Sequence, residues 1–130
     1  TDTANPKLLP EKEWYNVDVI TCAAPNLRER PSNSYNSGDG NRRAKVTDKE
    51  LLSIHEKRLG RILDVAFIEG DEVVILGAFG CGAFMNNPEV VAMAAKNVIK
   101  DYQKAFKAIE FAIYCSPRDE RNYKIFKRIL

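Results

Sequence analysis

The sequence predicts an α/β domain built on a mainly parallel sheet, and two observations carry that prediction. Three β-rich segments alternate with three helical segments, and strands separated by helices pair in parallel through right-handed crossovers. One of the strand segments, Glu72–Phe79, is apolar without alternation, which is typical of strands covered on both faces. We therefore expect an α/β sandwich, with one side of this small three-stranded sheet left open.

Length and composition predict a single domain and exclude some classes of binding partner. It has 130 residues, of which 45% are hydrophobic and 29% charged, enough for one ordinary globular core. Twenty Lys and Arg residues against 18 Asp and Glu residues give a formal charge of +2. This balance predicts neither a nucleic-acid nor an anionic-membrane partner, and no apolar run is long enough to span a bilayer.

The cysteine and histidine content predicts the compartment and argues against a metal. Cys22, Cys81 and Cys115 are far apart and odd in number, so we expect buried or half-buried free thiols in a reducing compartment. That compartment is the cytoplasm, or the nucleus and cytoplasm of a eukaryotic cell. A single His and no CxxC or HExxH motif predict no metal and no cofactor. Residues 1–5 lack Met and a signal-peptide pattern, which predicts a processed or excised piece.

The first half of the chain is expected to contain one strand, one loop and one helix. The β-branched and aromatic run Trp14–Ala24 predicts a strand that stops at Pro25. Residues 28–46 are rich in Ser, Asn, Gly and Arg and predict a long exposed loop. Thr47 followed by Glu50 is a capping box that opens a helix ending at Gly70.

The second half repeats the strand–helix pattern. After the strand Glu72–Phe79, Asn87 and Pro88 predict a helix N-terminus. A third strand is expected over Ala108–Cys115. Ser116 and Pro117 then open a last helix, whose inner face carries four large apolar residues: Tyr123, Phe126, Ile129 and Leu130. His55 aligns with apolar residues of the first helix, which favours a packed histidine over a catalytic one.

The most informative local pattern is the glycine-rich turn that links the second strand to its helix. Gly77, Gly80 and Gly82 lie within six residues, at the strand end where open parallel sheets bind ligands. Main-chain amides of such a turn, with a helix N-terminus behind them, suit a phosphate. The alternative is a tight turn that serves packing alone.

Three sharper motifs are absent from this turn. No Lys follows Gly82, so it is not a Walker A loop, and Met85 stands where a dinucleotide fingerprint needs Gly. Phe79 occupies the position two before Cys81, where a nucleophile elbow needs Gly. Without an activating His or acid near it in sequence, Cys81 is expected to be a small residue in a tight loop. Phe84 is either the wall of a sugar site or a core anchor.

Together these segments resemble the microbial-type poly(ADP-ribose) glycohydrolase family of macrodomains. The resemblance lies in the run from Val19 to Asn26, in the GxxGCGxF turn followed by Asn87-Pro88, and in Phe111-Ala112-Ile113 followed by Asn122-Tyr123. It implies a three-layer α/β/α sandwich, incomplete at its N-terminal side, with residues 1–130 forming the C-terminal part of one domain.

The resemblance also implies a ligand and the residues that contact it. The backbone of Gly80, Cys81, Gly82 and Ala83 would hold the diphosphate of ADP-ribose or poly(ADP-ribose), and Phe84 would position the distal ribose. Tyr114 and Asn122 would lie on the adenine side. The intact parent would hydrolyse ribose–ribose bonds.

The sequence departs from that family at its catalytic segment. It has no Gly-Gly-Gly and no Gln-Glu pair, and its only Gln is Gln103. We therefore expect no catalytic residue in this chain. The missing segment favours a fragment over a degenerate relative, and its open sheet predicts self-association or a complementing N-terminal half. Two alternatives remain: a non-catalytic module that binds ADP-ribose or another nucleotide, and an interaction domain without a ligand.

Overall fold

The computed structural model describes residues 7–32, 40 and 42–130. The expectations for residues 1–5, and those for residues 33–39 and 41 of the predicted loop, lie outside the described residues. The main elements are α1 (Asp48–Glu69), β1 (Val73–Leu76), α2 (Pro88–Ile99), β2 (Ala108–Phe111) and α3 (Arg121–Ile129), with 3₁₀ turns at Glu11–Glu13 and Lys100–Tyr102.

Helix α1 begins and ends at the predicted residues. The Thr47 Oγ1 atom accepts from the Glu50 amide at 3.3 Å, and Glu50 Oε2 accepts from the Thr47 amide at 2.8 Å. These two bonds satisfy donors that a helix N-terminus otherwise leaves free. The backbone bond from Thr47, followed by the one from its hydroxyl, holds the pKa of Glu50 below its usual value. At the other end Gly70 adopts a left-handed conformation with φ of +84°.

Strands β1 and β2 pair in parallel, with Val73 opposite Ala108 and Leu76 opposite Phe111. Both strands are four residues long, shorter than the predicted segments 72–79 and 108–115. Helix α1 packs on the sheet through Leu63 and Ala66, which form the main core with Val74, Leu76 and Phe106. Partly buried Val98 and Ile99 of α2 pack against this core. The α/β class and the parallel sheet are therefore confirmed.

The prediction that β1 is covered on both faces is wrong. Val74 and Leu76 are buried against the helices, whereas Val73 and Ile75 expose 49% and 66% of their surface. Side chains alternate between the faces of a strand, and the three helices pack on the face that carries Val74 and Leu76. The described residues thus form two layers of the expected three-layer sandwich.

The first predicted strand, Trp14–Ala24, is not formed in the described structure. Its residues pair with no other strand there, and Val17 and Val19 are exposed. A cavity of about 570 Å³ separates residues 16–22 from β1, so the two do not pair with each other in the described structure. Its far end is fixed by Arg58, whose Nη1 donates to the Ala23 carbonyl at 2.6 Å.

Three further expectations need correction. The last helix begins at Arg121, because Ser116 and Asp119 first exchange two main-chain hydrogen bonds of 3.0 Å in a turn. Cys115 is exposed, since it follows the shortened β2, while Cys22 and Cys81 are half-buried as expected. Residues 28–32 of the predicted exposed loop include the buried Pro31, whose carbonyl accepts from Arg28 Nη2 at 2.9 Å.

Neither a membrane span nor a metal cluster is found in the described part of the chain. Its helices are all too short or too polar to cross a bilayer. No three His, Cys, Asp or Glu side chains converge there in a way that would hold a metal ion.

Replacing Thr47 with Ala should lower the free energy of unfolding by about 1 kcal/mol, because one helix cap is lost. Urea denaturation followed by circular dichroism measures this change. Thr47→Ser is the control, since its hydroxyl can still accept from the Glu50 amide. Equal destabilisation by both variants would contradict the capping role.

Candidate functional site

The glycine-rich turn between β1 and α2 folds through short main-chain hydrogen bonds. Within residues 77–85, the Phe79 amide donates to Gly77, the Cys81 amide to Ala78 and the Met85 amide to Gly82, each at 2.9 Å. The turn ends at Asn87, whose Oδ1 accepts from the Glu89 amide at 3.1 Å and caps α2. Loop and helix N-terminus therefore form one continuous structure, as the sequence predicts.

Gly80 is the position in this turn at which only glycine fits. Its φ is +77°, and a Cβ built there would lie 2.6 Å from Ala24 Cβ and 2.9 Å from Asn86 Nδ2. Both the conformation and the close approach exclude a side chain. Gly82 differs, because a Cβ there would meet no atom within 4 Å. Gly80 thus holds the turn together, and Gly82 leaves its outer side open.

Asn86 is the centre of the turn, and sequence reasoning missed it. Its side chain is buried, and its Nδ2 donates to the carbonyls of Pro25, Gly80 and Phe84 at 2.7, 3.0 and 3.2 Å. The Asn86 amide also donates to Gly80 at 3.1 Å. One side chain therefore fixes both ends of the turn and the segment before Leu27. The sequence signal was present only as a second Asn beside the helix cap.

His55 of α1 orients the Asn86 side chain from below. It is fully buried, its Nε2 lies 2.8 Å from Asn86 Oδ1, and its ring meets Phe79 edge to face at 5.3 Å. Since Asn86 Nδ2 faces three carbonyls, Oδ1 is an acceptor and Nε2 must carry the proton. Burial lowers the pKa of His55, with a smaller opposing effect of Asn86 and a further lowering by Arg58. His55 is thus a neutral, packed histidine, as predicted.

Several main-chain amides of the turn remain free. Within the described residues, the N–H groups of Gly80, Gly82, Ala83 and Phe84 have no acceptor, and Gly82 and Ala83 are exposed. The Cys81 amide, in contrast, already donates to Ala78. Of the four residues predicted to hold a diphosphate through their backbone, Gly80, Gly82 and Ala83 keep an available donor. Clustered free amides of this kind attract anions.

The thiol of Cys81 is unsuited to nucleophilic chemistry. It packs beside the cluster formed by Val91, Ala92 and Phe126, and its Sγ donates to the Phe79 carbonyl at 3.8 Å. Burial raises the pKa of Cys81 to about 12, although the charge of Arg121 lowers it. A thiol that stays protonated at neutral pH is a poor nucleophile, which agrees with its expected role as a small loop residue.

Phe84 lies at the rim of the turn with a cation on its ring. The Arg28 guanidinium carbon is 5.4 Å from the ring centroid, and Arg28 Nε is held by Asn26 Oδ1 at 3.0 Å. The Phe84 carbonyl accepts from the Leu27 amide at 3.0 Å. The Phe84 carbonyl therefore ties the turn to the segment at Leu27, and the half-buried ring lies beside a positive charge.

Tyr114 and Asn122 are close in sequence to Ile113 and Ile125, which pack in the same cluster as Cys81 of the turn. Tyr114 follows β2 and is 89% exposed, and Asn122 is half-buried in the first turn of α3. No hydrogen bond or ring contact in the described residues joins either side chain to residues 77–84. The carboxylate closest in sequence to the turn, Glu89, pairs with Arg128 at 2.7 Å.

Comparison with solved structures decides the relationship. The poly(ADP-ribose) glycohydrolase from Deinococcus radiodurans in complex with ADP-ribose aligns over 62% of this chain with 30% identity and a TM-score of 0.57. Its apo form aligns over the same share with 28% identity and a TM-score of 0.57. Over the matched region, this chain is similar in sequence and structure to a poly(ADP-ribose) glycohydrolase.

The glycohydrolase-like region is only part of those relatives. This chain spans 33% of the ADP-ribose complex and 34% of the apo structure, about a third of their length. No protein-family model matches the sequence, and no curated protein matches it. The glycohydrolase resemblance seen in the sequence motifs is thus confirmed at the level of structure.

Replacing Asn86 with Ala should lower the free energy of unfolding by about 3 kcal/mol. The Pro25 carbonyl and His55 Nε2 would lose their partner in a buried site, at about 1 to 3 kcal/mol each. The Gly80 and Phe84 carbonyls would keep main-chain donors at residues 86 and 27. Urea denaturation measures the loss. Asn87→Ala is the matched control, because it removes only the α2 cap, worth about 1 kcal/mol. Similar losses in the two variants would contradict the central role of Asn86.

The stability of the protein should fall as the pH drops below about 6.5. The pKa of His55 is lowered on folding, so the unfolded chain binds more protons in the range between the folded pKa and the ordinary value of 6.5. The neutral form therefore stabilises the fold above that range, and the contribution is lost on acidification. Urea titrations between pH 5 and 8 measure it.

His55→Gln is the control for this pH dependence. The chain contains a single His, so no other imidazole titrates in the same range. The difference between the two stability curves should shrink steadily below pH 6.5. A constant difference from pH 5 to 8 would show that His55 does not titrate on unfolding.

Proposed function

We propose that this chain is the ADP-ribose-binding part of a poly(ADP-ribose) glycohydrolase-like macrodomain. The observation that carries the proposal is the turn at the end of β1, where the exposed residues Gly82 and Ala83 keep amides without an acceptor among the described residues. Relatives of the same local fold are solved with ADP-ribose bound. A diphosphate is the part of that ligand that main-chain amides recognise best.

Each part of the ligand has a proposed contact. The diphosphate lies against the amides of Gly80, Gly82 and Ala83, with Cys81 shaping the turn rather than donating. Phe84 packs on the distal ribose, and the neighbouring Arg28 adds a positive charge on that side. The adenine lies toward Tyr114 and Asn122, which flank the end of β2 and the start of α3.

The intact parent would hydrolyse ribose–ribose bonds, with the chemistry divided between two parts of the domain. Glycoside hydrolysis needs a carboxylic acid that protonates the leaving oxygen. We propose that a Glu outside this chain supplies that proton. This chain then binds the diphosphate and orients the sugar, and alone it is inactive. It works in the cytoplasm, with a complementing N-terminal half or a second copy completing the sheet.

A non-catalytic ADP-ribose-binding module is the second candidate. The absence of a Gln-Glu pair from the sequence favours it, since the same turn would bind ligand without turnover. Restoring the upstream part of the domain distinguishes the two, because release of ADP-ribose from polymer then follows only for the enzyme. The third alternative, an interaction domain without a ligand, predicts no nucleotide binding.

Calorimetric titration of ADP-ribose into this chain tests the proposal. We expect saturable binding that Gly82→Trp abolishes, because the large side chain fills the space beside the free amides. Gly82→Ala is the control, since a methyl group there meets no atom within 4 Å and should weaken binding by much less. Unchanged affinity of the Trp variant for ADP-ribose would show that the ligand does not bind at this turn. Release of ADP-ribose from polymer by the chain alone would contradict its predicted inactivity.

A further inference from the structure

The free edge of β1 faces a cavity that has a second extended segment on its other side. The cavity, about 570 Å³ in volume, is lined by residues 16–18, Ile20 and Cys22 on one side and by residues 73–79 on the other. At one end the two chains meet, because Ala24 lies against Gly80 and Asn86 Nδ2 bridges Pro25 and Gly80. Both segments therefore run in the same direction, toward the glycine-rich turn.

The main chain of β1 is ready to pair on this edge. The carbonyls of Glu72 and Leu76 accept from Lys107 and Ala112 on the β2 side. Because successive residues of a strand direct their main-chain groups to opposite edges, those of Val73 and Ile75 point toward the cavity. No partner for them is found among residues 7–32, 40 and 42–130. An unpaired strand edge of this kind is a template for another strand.

The cavity lining combines apolar side chains with two carboxylates. Val73 and Ile75 expose 49% and 66% of their surface, and among the described residues the charged side chains that line the cavity are Asp18 and Asp71. In the described part of the chain neither forms an ion pair. An occupant with an apolar centre and a basic residue near an end would complement this lining.

We infer that the cavity is the seat of a β-strand that comes from the remaining part of the glycohydrolase-like domain. The strand would pair with Val73 and Ile75 on one side and with residues 16–22 on the other, and would make one sheet of four strands. Two flanking extended segments with parallel direction fit a strand better than a helix or a loop. About two thirds of the solved relatives lies outside the matched region, which is long enough to contain such a strand. The identity of this strand rests on the proposed function, but strand binding in the cavity does not require ADP-ribose.

A short peptide tests the seat directly. The dye-labelled peptide KTVIVTK has a β-forming apolar centre and basic ends, and its binding to the full chain is followed by fluorescence anisotropy. Hydrogen exchange read by NMR should show fast exchange at the Val73 and Ile75 amides in the free chain and slow exchange with the peptide. ETVIVTE should bind more weakly at low salt, and a KTVIVTK peptide with N-methylated valines should not bind.

Variants of β1 separate strand pairing from simple apolar contact. Ile75→Pro removes an amide that faces the cavity and leaves the β2 side unchanged, so peptide affinity should fall about tenfold, the effect of a lost main-chain hydrogen bond or two. Ile75→Thr keeps the amide and should bind nearly as well as the native chain. If Ile75→Pro does not fold, the exchange measurement on the native chain decides.

Three results would overturn the inference. They are failure of KTVIVTK to bind, binding that leaves exchange at Val73 and Ile75 unchanged, and slow exchange at these amides in the free chain. The last would show that residues 16–22 or a second copy already covers the edge, and sedimentation distinguishes these two. ADP-ribose binding is titrated separately, without peptide. A chain that binds the peptide but not ADP-ribose would contradict the proposed function alone, and a chain that binds ADP-ribose but not the peptide would contradict the strand seat alone.

Discussion

The buried contact between His55 and Asn86 is the interaction on which the glycine-rich turn depends. Asn86 reaches three carbonyls with a single amide, and that amide is oriented because its oxygen meets a protonated Nε2. The histidine is in turn fixed by burial in α1 and by the ring of Phe79. The conformation of the turn thus depends on the buried Asn86 side chain as well as on its glycines. Its outward amides are left free because the inward hydrogen bonds hold the backbone.

The second constraint is the uneven covering of the sheet. All three helices pack on the sheet face that carries Val74 and Leu76, so the core lies on that face alone. The opposite face and the free edge of β1 are left to whatever packs against residues 16–22. The ligand turn lies where these two regions meet, since Asn86 bonds both the segment before Leu27 and the turn itself. Completing the sheet and binding a ligand therefore involve neighbouring parts of the molecule.

Local signals could be predicted from the sequence, and non-local ones could not. The capping box, Gly70, and the Asn87-Pro88 helix start depend on a few neighbouring residues, and all were found where expected. The strand Trp14–Ala24 was expected from residue types alone, but a strand exists only with a partner to pair with. The burial of Ile75 was overestimated for the same reason. Asn86 was missed because its three carbonyl partners include Pro25, which is 61 residues away.

The distance along the chain between these partners has a consequence for the order of folding. Helices α1 and α2 and the two strands between residues 48 and 111 are neighbours in sequence, so their contacts close short loops. The segment at residues 23–27 joins them through Arg58 and Asn86, across 35 and 61 residues. Longer loops cost more entropy to close, and contacts of high sequence separation form slowly. The carboxyl half should therefore fold first, and the turn should reach its final shape only when the amino-terminal segment docks.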